Sequence, residues 1–208
     1  LSNGSVFSDI AGKYDRINRL LSFGQDQNWR RRVIGRLPQG RVLDLGAGTG
    51  AANEVFGAGD VVALDPSPEM LARNGAAWRI VGVGEQLPFV SGSFDAVFSA
   101  YVFRNLDSVP VTVVEAARVL RSGGRLGVVG LGRPKNRVLA AIHRAGSAVV
   151  LPVVGTLAGS REEYVYLARS LDKLPPPEAM FAASPLRLVD LWRMGPLGFV
   201  YGAVLEKP

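Results

Sequence analysis

Apolar residues recur at helical spacing from the start of the chain. Val6, Ile10, Tyr14, Ile17, Leu20 and Leu21 fall on one face, which predicts an amphipathic helix closed by Phe23-Gly24. A second helix is predicted over Gln25 to Arg36, stopping at Pro38. The pattern then shortens. Arg41 to Leu45 is a brief apolar run entering a glycine-rich turn, the mark of a buried parallel strand. A helix is expected over Thr49 to Phe56, a strand over Asp60 to Leu64, and a turn at Asp65-Pro66-Ser67-Pro68, where Asp65 or Ser67 can cap a helix over Glu69 to Ala77. Strands follow at Trp78 to Val83 and Phe94 to Ser99. Val111 to Leu120 reads as a helix stopped by Gly123-Gly124, and Arg125 to Gly130 as a fifth strand. Strands alternating with helices imply an α/β fold with a doubly wound parallel sheet and helices on both faces.

The alternation lapses after Gly132. Residues 135–158 read as apolar helix with a break near Pro152. Residues 161–173 predict an amphipathic helix with Tyr164, Leu167, Ala168 and Leu171 on one face. Pro175-Pro176-Pro177 is a stiff link. Two β-like runs between Leu186 and Leu205 flank Gly195-Pro196-Leu197-Gly198, as in an antiparallel hairpin completing the sheet. The length, 208 residues, suits one domain, with residues 1–38 as an N-terminal helical cap.

Composition narrows the chemistry. Hydrophobic residues make up 48% and charged residues 20%, enough for a real core. No cysteine is present, which excludes disulfides, thiolate-held metals and cysteine nucleophiles. The single histidine, His143, makes histidine metal sites and a Ser-His-Asp triad improbable, and a lone histidine is more often structural than catalytic. The net charge of +6 suits nucleic acid, an anionic membrane face or an acidic substrate. Lys13, Arg16, Arg19, Arg30, Arg31, Arg32, Arg36 and Arg41 crowd the N-terminal quarter, where a solvated helix face is the plain alternative. No aromatic–basic interleaving supports nucleic-acid binding. The chain opens with polar residues, and the apolar stretch Ala145 to Gly159 is too short to span a bilayer, so a cytoplasmic protein is expected.

The segment Val42-Leu43-Asp44-Leu45-Gly46-Ala47-Gly48-Thr49-Gly50 is the strongest chemical signal. Glycines between strand and helix let a ligand approach the backbone. They also fit an NAD-type fingerprint, Gly46-x-Gly48-x-x-Ala51, or a plain structural turn. Asp44, two residues before the first glycine, repels a pyrophosphate but suits a cofactor carrying an ammonium and a sulfonium. Asp65, at the end of the second strand, can accept both ribose hydroxyls, a feature shared with NAD enzymes.

The blocks together resemble the ubiquinone/menaquinone biosynthesis C-methyltransferase family of class I S-adenosylmethionine (SAM) enzymes. The resemblance rests on Val6 to Asp15, Asn18, Leu21-Ser22-Phe23-Gly24 and Trp29-Arg30; on Gly84-Glu85-Gln86-Leu87-Pro88-Phe89 and Ser93-Phe94-Asp95; and on Phe103-Arg104-Asn105-Leu106. Arg118 to Arg125, Leu151-Pro152 and Tyr164-x-Tyr166-Leu167-x-x-Ser170-Leu171 extend it along almost the whole chain. It implies a Rossmann-like methyltransferase sheet and SAM as cofactor. The methionine part would lie at Gly46, Ala47, Gly48 and Thr49 with Asp44 nearby, the ribose at Asp65, and the adenine between Pro66 and Met70 near Gly84 and Glu85. Three positions depart from the family: Val83 stands where a polar residue usually reaches the adenine amine, Ala100 where a small polar residue ends strand four, with Ser99 as its substitute, and Val102 where a glycine precedes the Arg-Asn pair.

The implied reaction is SN2 methylation of a ring carbon of a prenylated quinol, of demethylmenaquinol or ubiquinol-precursor type. Arg104 and Asn105 are expected to hold the quinol oxygen, with Arg104 stabilising the phenolate and orienting a water, and Tyr14 to cover the sulfonium. Residues 133–184 form the acceptor-side helical segment, and within it the apolar 139–158 is expected to meet the prenyl tail, an anionic membrane surface or a homodimer partner. The alternatives are a methyltransferase for another small hydrophobic acceptor, a nucleic-acid-binding protein, and a SAM-binding regulator without turnover.

Overall fold

The computed structural model describes residues 22, 24–134, 136–157 and 174–208. The helices expected over residues 6–21, with Tyr14, and over 161–173 lie outside the described residues.

Among the described residues, seven strands form one sheet: β1 (Val42–Leu45), β2 (Val61–Asp65), β3 (Trp78–Val81), β4 (Phe94–Ala100), β5 (Leu120–Leu131), β6 (Arg187–Met194) and β7 (Val200–Glu206). Their order is β3-β2-β1-β4-β5-β7-β6. The first five run parallel, and β7 lies antiparallel between β5 and β6. This is the Rossmann-like sheet with the expected closing hairpin. β1 has β2 on one side and β4 on the other, so the winding direction reverses there. Their carboxyl ends open a crevice at that switch point.

Alternate residues of the central strands feed two cores. Val42, Ala96, Phe98 and Val129 pack against Trp29 and Val33 of α1 (Asp26–Ile34). Leu43, Val97, Leu126 and Val128 pack against Val109, Val113 and Ala116 of α4 (Val109–Val119). A Cβ on Gly127 would stand 2.7 Å from Val33 Cγ1, so the bare backbone of β5 is what lets α1 lie directly on it.

Several elements are shorter or longer than the hydrophobic pattern suggests. Only α2 (Asn53–Phe56) remains of the helix expected from Thr49, because Gly50 has φ +88° and cannot continue a helix backwards. α3 spans only Pro68–Leu71. Beyond it, the buried Asn74 side chain replaces helical bonds: Oδ1 accepts from the Ala76 amide at 2.9 Å, and Nδ2 donates to Gly48 O at 3.1 Å. β5 starts at Leu120 rather than Arg125, since Leu120 pairs with Phe94 across a bulge before the register resumes at Ala96 and Arg125. α5 (Arg137–Leu157) runs through Pro152, so the one bond that proline removes does not end it. α6 is the single turn Pro177–Met180.

Candidate active site

The loop after β1 is stitched to the end of β2. The amides of Gly46 and Ala47 donate to Leu64 O at 2.8 and 3.0 Å, and that of Gly50 to Ala47 O at 3.0 Å. The Gly48 amide donates to Asp65 Oδ2 at 2.9 Å. Gly46 has φ +72°, and a Cβ there would overlap the Val102 side chain. Glycine is thus required both by conformation and by space.

Asp65 is buried at the tip of β2, and its Oδ1 accepts from the Ser67 amide at 2.9 Å. Burial pushes its carboxyl above the ordinary range, while the Ser67 and Gly48 amides act against that shift. Ser67, not Asp65, caps α3, its hydroxyl accepting from the Met70 amide at 3.2 Å.

These groups line a cleft of about 230 Å³ at the switch point. Gly46, Ala47, Gly48 and Thr49 form one wall, with Asp65, Pro66 and Met70 beside them. Val83, Gly84 and Glu85 form a second wall, and Ala100, Tyr101, Val102, Asn105 and Leu106 a third. Gly84 and Glu85 also hold the wall itself together. A Cβ on Gly84 would stand 2.8 Å from Thr112 Cγ2 of α4. Glu85 Oε1 accepts from the amides of Asp107 and Ser108 at 2.9 and 3.1 Å.

Three expected site residues do not line this cleft, and a fourth lies outside the described residues. Asp44 lies inside β1, 3% exposed, so its carboxyl does not meet the cofactor directly. Burial raises its pKa to about 7, opposed by the Arg30 charge and reinforced by that of Asp65. Ser99 is fully buried and donates to Leu45 O at 3.0 Å, tying β4 to β1, so Ala100 presents no polar group and Ser99 does not substitute for one. Arg104 shares the 3₁₀ turn Phe103–Asn105 with Asn105 but does not line the cleft. Tyr14 is outside the described residues. Asn105 does face the cleft, and its buried Oδ1 has no hydrogen-bond partner among the described residues. That oxygen can accept a hydrogen bond from a group entering the cleft.

Two cleft residues escape the sequence reading. Arg30 is 5% exposed, ion-paired to Asp26 at 2.7 Å, and its guanidinium lies 5.2 Å from the centre of the Tyr101 ring. The signal is present in the sequence: Asp26, Trp29, Arg30 and Val33 share one helical face, and all four are buried. Tyr101 has φ +65°, a strained value for a bulky residue, and its amide donates to Val129 O at 2.7 Å. No local pattern marks that strain. His143 lies apart, 3.1 Å from Arg133 and stacked on Phe199.

The chain is similar to known proteins over most of its length. Residues 3–186 match the ubiE/COQ5 methyltransferase family. A demethylmenaquinone methyltransferase of Corynebacterium efficiens is 40% identical over 182 residues, 84% of this chain and 79% of that protein. One from Thermus thermophilus is 39% identical over 194 residues, 85% and 88% of the two chains. A SAM-dependent methyltransferase from Thermotoga maritima superposes with a TM-score of 0.63 at 18% identity, covering 99% of both chains, which shows the shared fold.

Proposed function

Because the chain belongs to the ubiE/COQ5 methyltransferase family, and so is a SAM-dependent methyltransferase, we propose that it C-methylates a prenylated quinol of demethylmenaquinol or ubiquinol-precursor type. The observation that carries this reading is the switch-point cleft with the buried, unsatisfied Asn105 oxygen on its acceptor-side wall.

The residues present fit SAM. Asp65 places a buried carboxylate at the tip of β2, where its remaining lone pairs suit ribose hydroxyls. Pro66 and Met70 offer apolar contact for an adenine, and with Val83 in place of a polar side chain the ring's polar edge falls to backbone at Gly84 and Glu85. The methionine part belongs at Gly46 to Thr49, beside Ala100. Asp44 and Ser99 act from behind, Asp44 through the partial charge it carries near neutrality and Ser99 by fixing the strands. When bound, SAM supplies a sulfonium methyl for a single displacement.

Asn105 Oδ1 accepts from the acceptor's hydroxyl at the cleft wall, and Arg104, in the same turn but off the cleft lining, favours a phenolate there through its charge. Val102 fills the space that Gly46 leaves open and narrows the pocket relative to a glycine there. Tyr14, on the helical cap 1–38, covers the site, and the segment 133–184 receives the prenyl tail. No described helix is long and apolar enough to cross a membrane. The exposed Val138 and Ile142 on α5, with the exposed Arg31, Arg32 and Arg36 of the first helical segment, suit peripheral contact with an anionic bilayer.

The test is transfer of an isotope-labelled methyl from SAM to reduced demethylmenaquinone, beside a panel of simple phenols. Product on the quinol supports the proposal. Product on phenols alone moves it to another small acceptor, and SAM binding without any product makes it a regulator. Flotation with anionic liposomes at low salt tests the membrane contact, and absence of co-flotation removes it.

A further inference from the structure

We propose that Arg30 is the group that recognises the α-carboxylate of the cofactor's methionyl end, a role that rests on the cleft being a SAM site.

The argument begins with what the glycine loop cannot offer. An anion at such a loop is normally met by backbone N–H groups. Here the amides of Gly46, Ala47 and Gly50 donate to backbone carbonyls, and the Gly48 amide donates to Asp65. Four of the loop's donors are therefore committed within the protein. The charge around the loop is also unfavourable to a carboxylate. Asp65, Glu85 and Asp107 line the cleft. A methionyl carboxylate entering there needs a cation.

Among the described residues lining the cleft, Arg30 is the sole cation. It is built for the position. The helical spacing of Asp26 and Arg30 puts the ion pair on the buried face of α1, between Trp29 and Val33. Asp26 in turn accepts from the Ser22 hydroxyl at 3.3 Å. The Tyr101 ring supports the guanidinium from the end of β4. Asp26 accepts from Nη1, and a guanidinium carries five N–H donors in a planar fork suited to a second carboxylate. The strained φ of Tyr101 has a place in this arrangement, since it aims the ring at Arg30 from the cleft wall.

The test separates the two ends of the cofactor. Binding of S-adenosylhomocysteine, which carries the carboxylate, is compared by calorimetry with binding of 5′-methylthioadenosine, which has the same nucleoside and no amino-acid part. Arg30→Gln is expected to weaken the first by about tenfold or more and to leave the second within about twofold. Arg30→Lys, which keeps the ion pair with Asp26, is expected to show a smaller loss confined to the first ligand. The nucleoside affinity doubles as a check that the site is folded, and the lysine variant carries the test if the glutamine variant does not fold. Equal losses for both ligands, or none for either, overturn the role of Arg30. Failure of the unsubstituted protein to bind either ligand overturns the SAM reading itself.

Discussion

Asp65 Oδ2 accepts from the Gly48 amide at 2.9 Å, so the carboxylate that ends β2 also shapes the loop that follows β1. One residue thereby serves both the loop and the ligand. Asp65→Ala is expected to lower S-adenosylhomocysteine affinity by about a hundredfold, through two lost charge-assisted contacts. Asp65→Asn, which can still accept from the amide, is expected to lose less. Calorimetric affinities within about threefold of the unsubstituted protein would remove Asp65 from the site.

Gly46 and Val102 share one space. Gly46→Ala forces a side chain into Val102 and a left-handed backbone onto alanine, with an expected destabilisation of about 2–3 kcal/mol. Adding Val102→Gly relieves the overlap but not the backbone strain. Urea denaturation should show partial recovery in the double variant. Full recovery would mean the overlap alone sets the requirement for glycine.

The buried carboxyl of Asp44 makes stability depend on pH. Its folded pKa of about 7 exceeds the ordinary 3.8, so between those values the folded chain holds a proton that the unfolded chain has lost. Raising the pH through this window therefore removes stability, and Asp44→Asn removes the effect. Arg30 and Asp65 are the charges that act on the group, in opposite directions. Melting temperatures of the ligand-free protein should fall from about pH 5 to about pH 8 by more in the unsubstituted chain than in the variant. Parallel profiles would contradict the assignment.

Asn105 is expected to act on the acceptor. Asn105→Ala should lower kcat/KM for the quinol by about tenfold to a hundredfold while S-adenosylhomocysteine affinity stays within about twofold. The reverse split would place Asn105 on the cofactor.

Arg118 shows a motif residue with a supporting role. It donates to Phe89 O at 2.7 Å, to Leu87 O at 2.9 Å and to Glu115 at 2.7 Å, which pins the segment that includes the Gly84 wall. Arg118→Ala is expected to destabilise the fold by about 2–3 kcal/mol in urea unfolding. A change below about 0.5 kcal/mol would show that the wall holds without it.

Much of this is legible along the chain because it is local. The strand runs, the turn at Asp65-Pro66-Ser67-Pro68 and the closing hairpin around Gly195 to Gly198 follow from short apolar runs bounded by turn residues, and they stand near their expected places. Helix lengths are less legible. Asn74 shortens α3 through bonds to Gly48 and Asn53, far from it in sequence. Leu120 joins β5 early because Phe94 is there to pair with it.

For the site, the glycine loop, Asp65 and the family blocks can be read along the chain, since each is a short pattern whose chemistry depends on residue type and spacing. Which way those residues face is set by the folded packing. It sank Asp44 and Ser99 behind the loop, parted Asn105 from Arg104 at the cleft wall, and brought Arg30 from a basic helix to the cleft lining. The reason is physical. Whether a charged residue is solvated or buried depends on the partners packed around it, and Asp26, Tyr101 and the loop after β1 meet Arg30 only once the chain has folded.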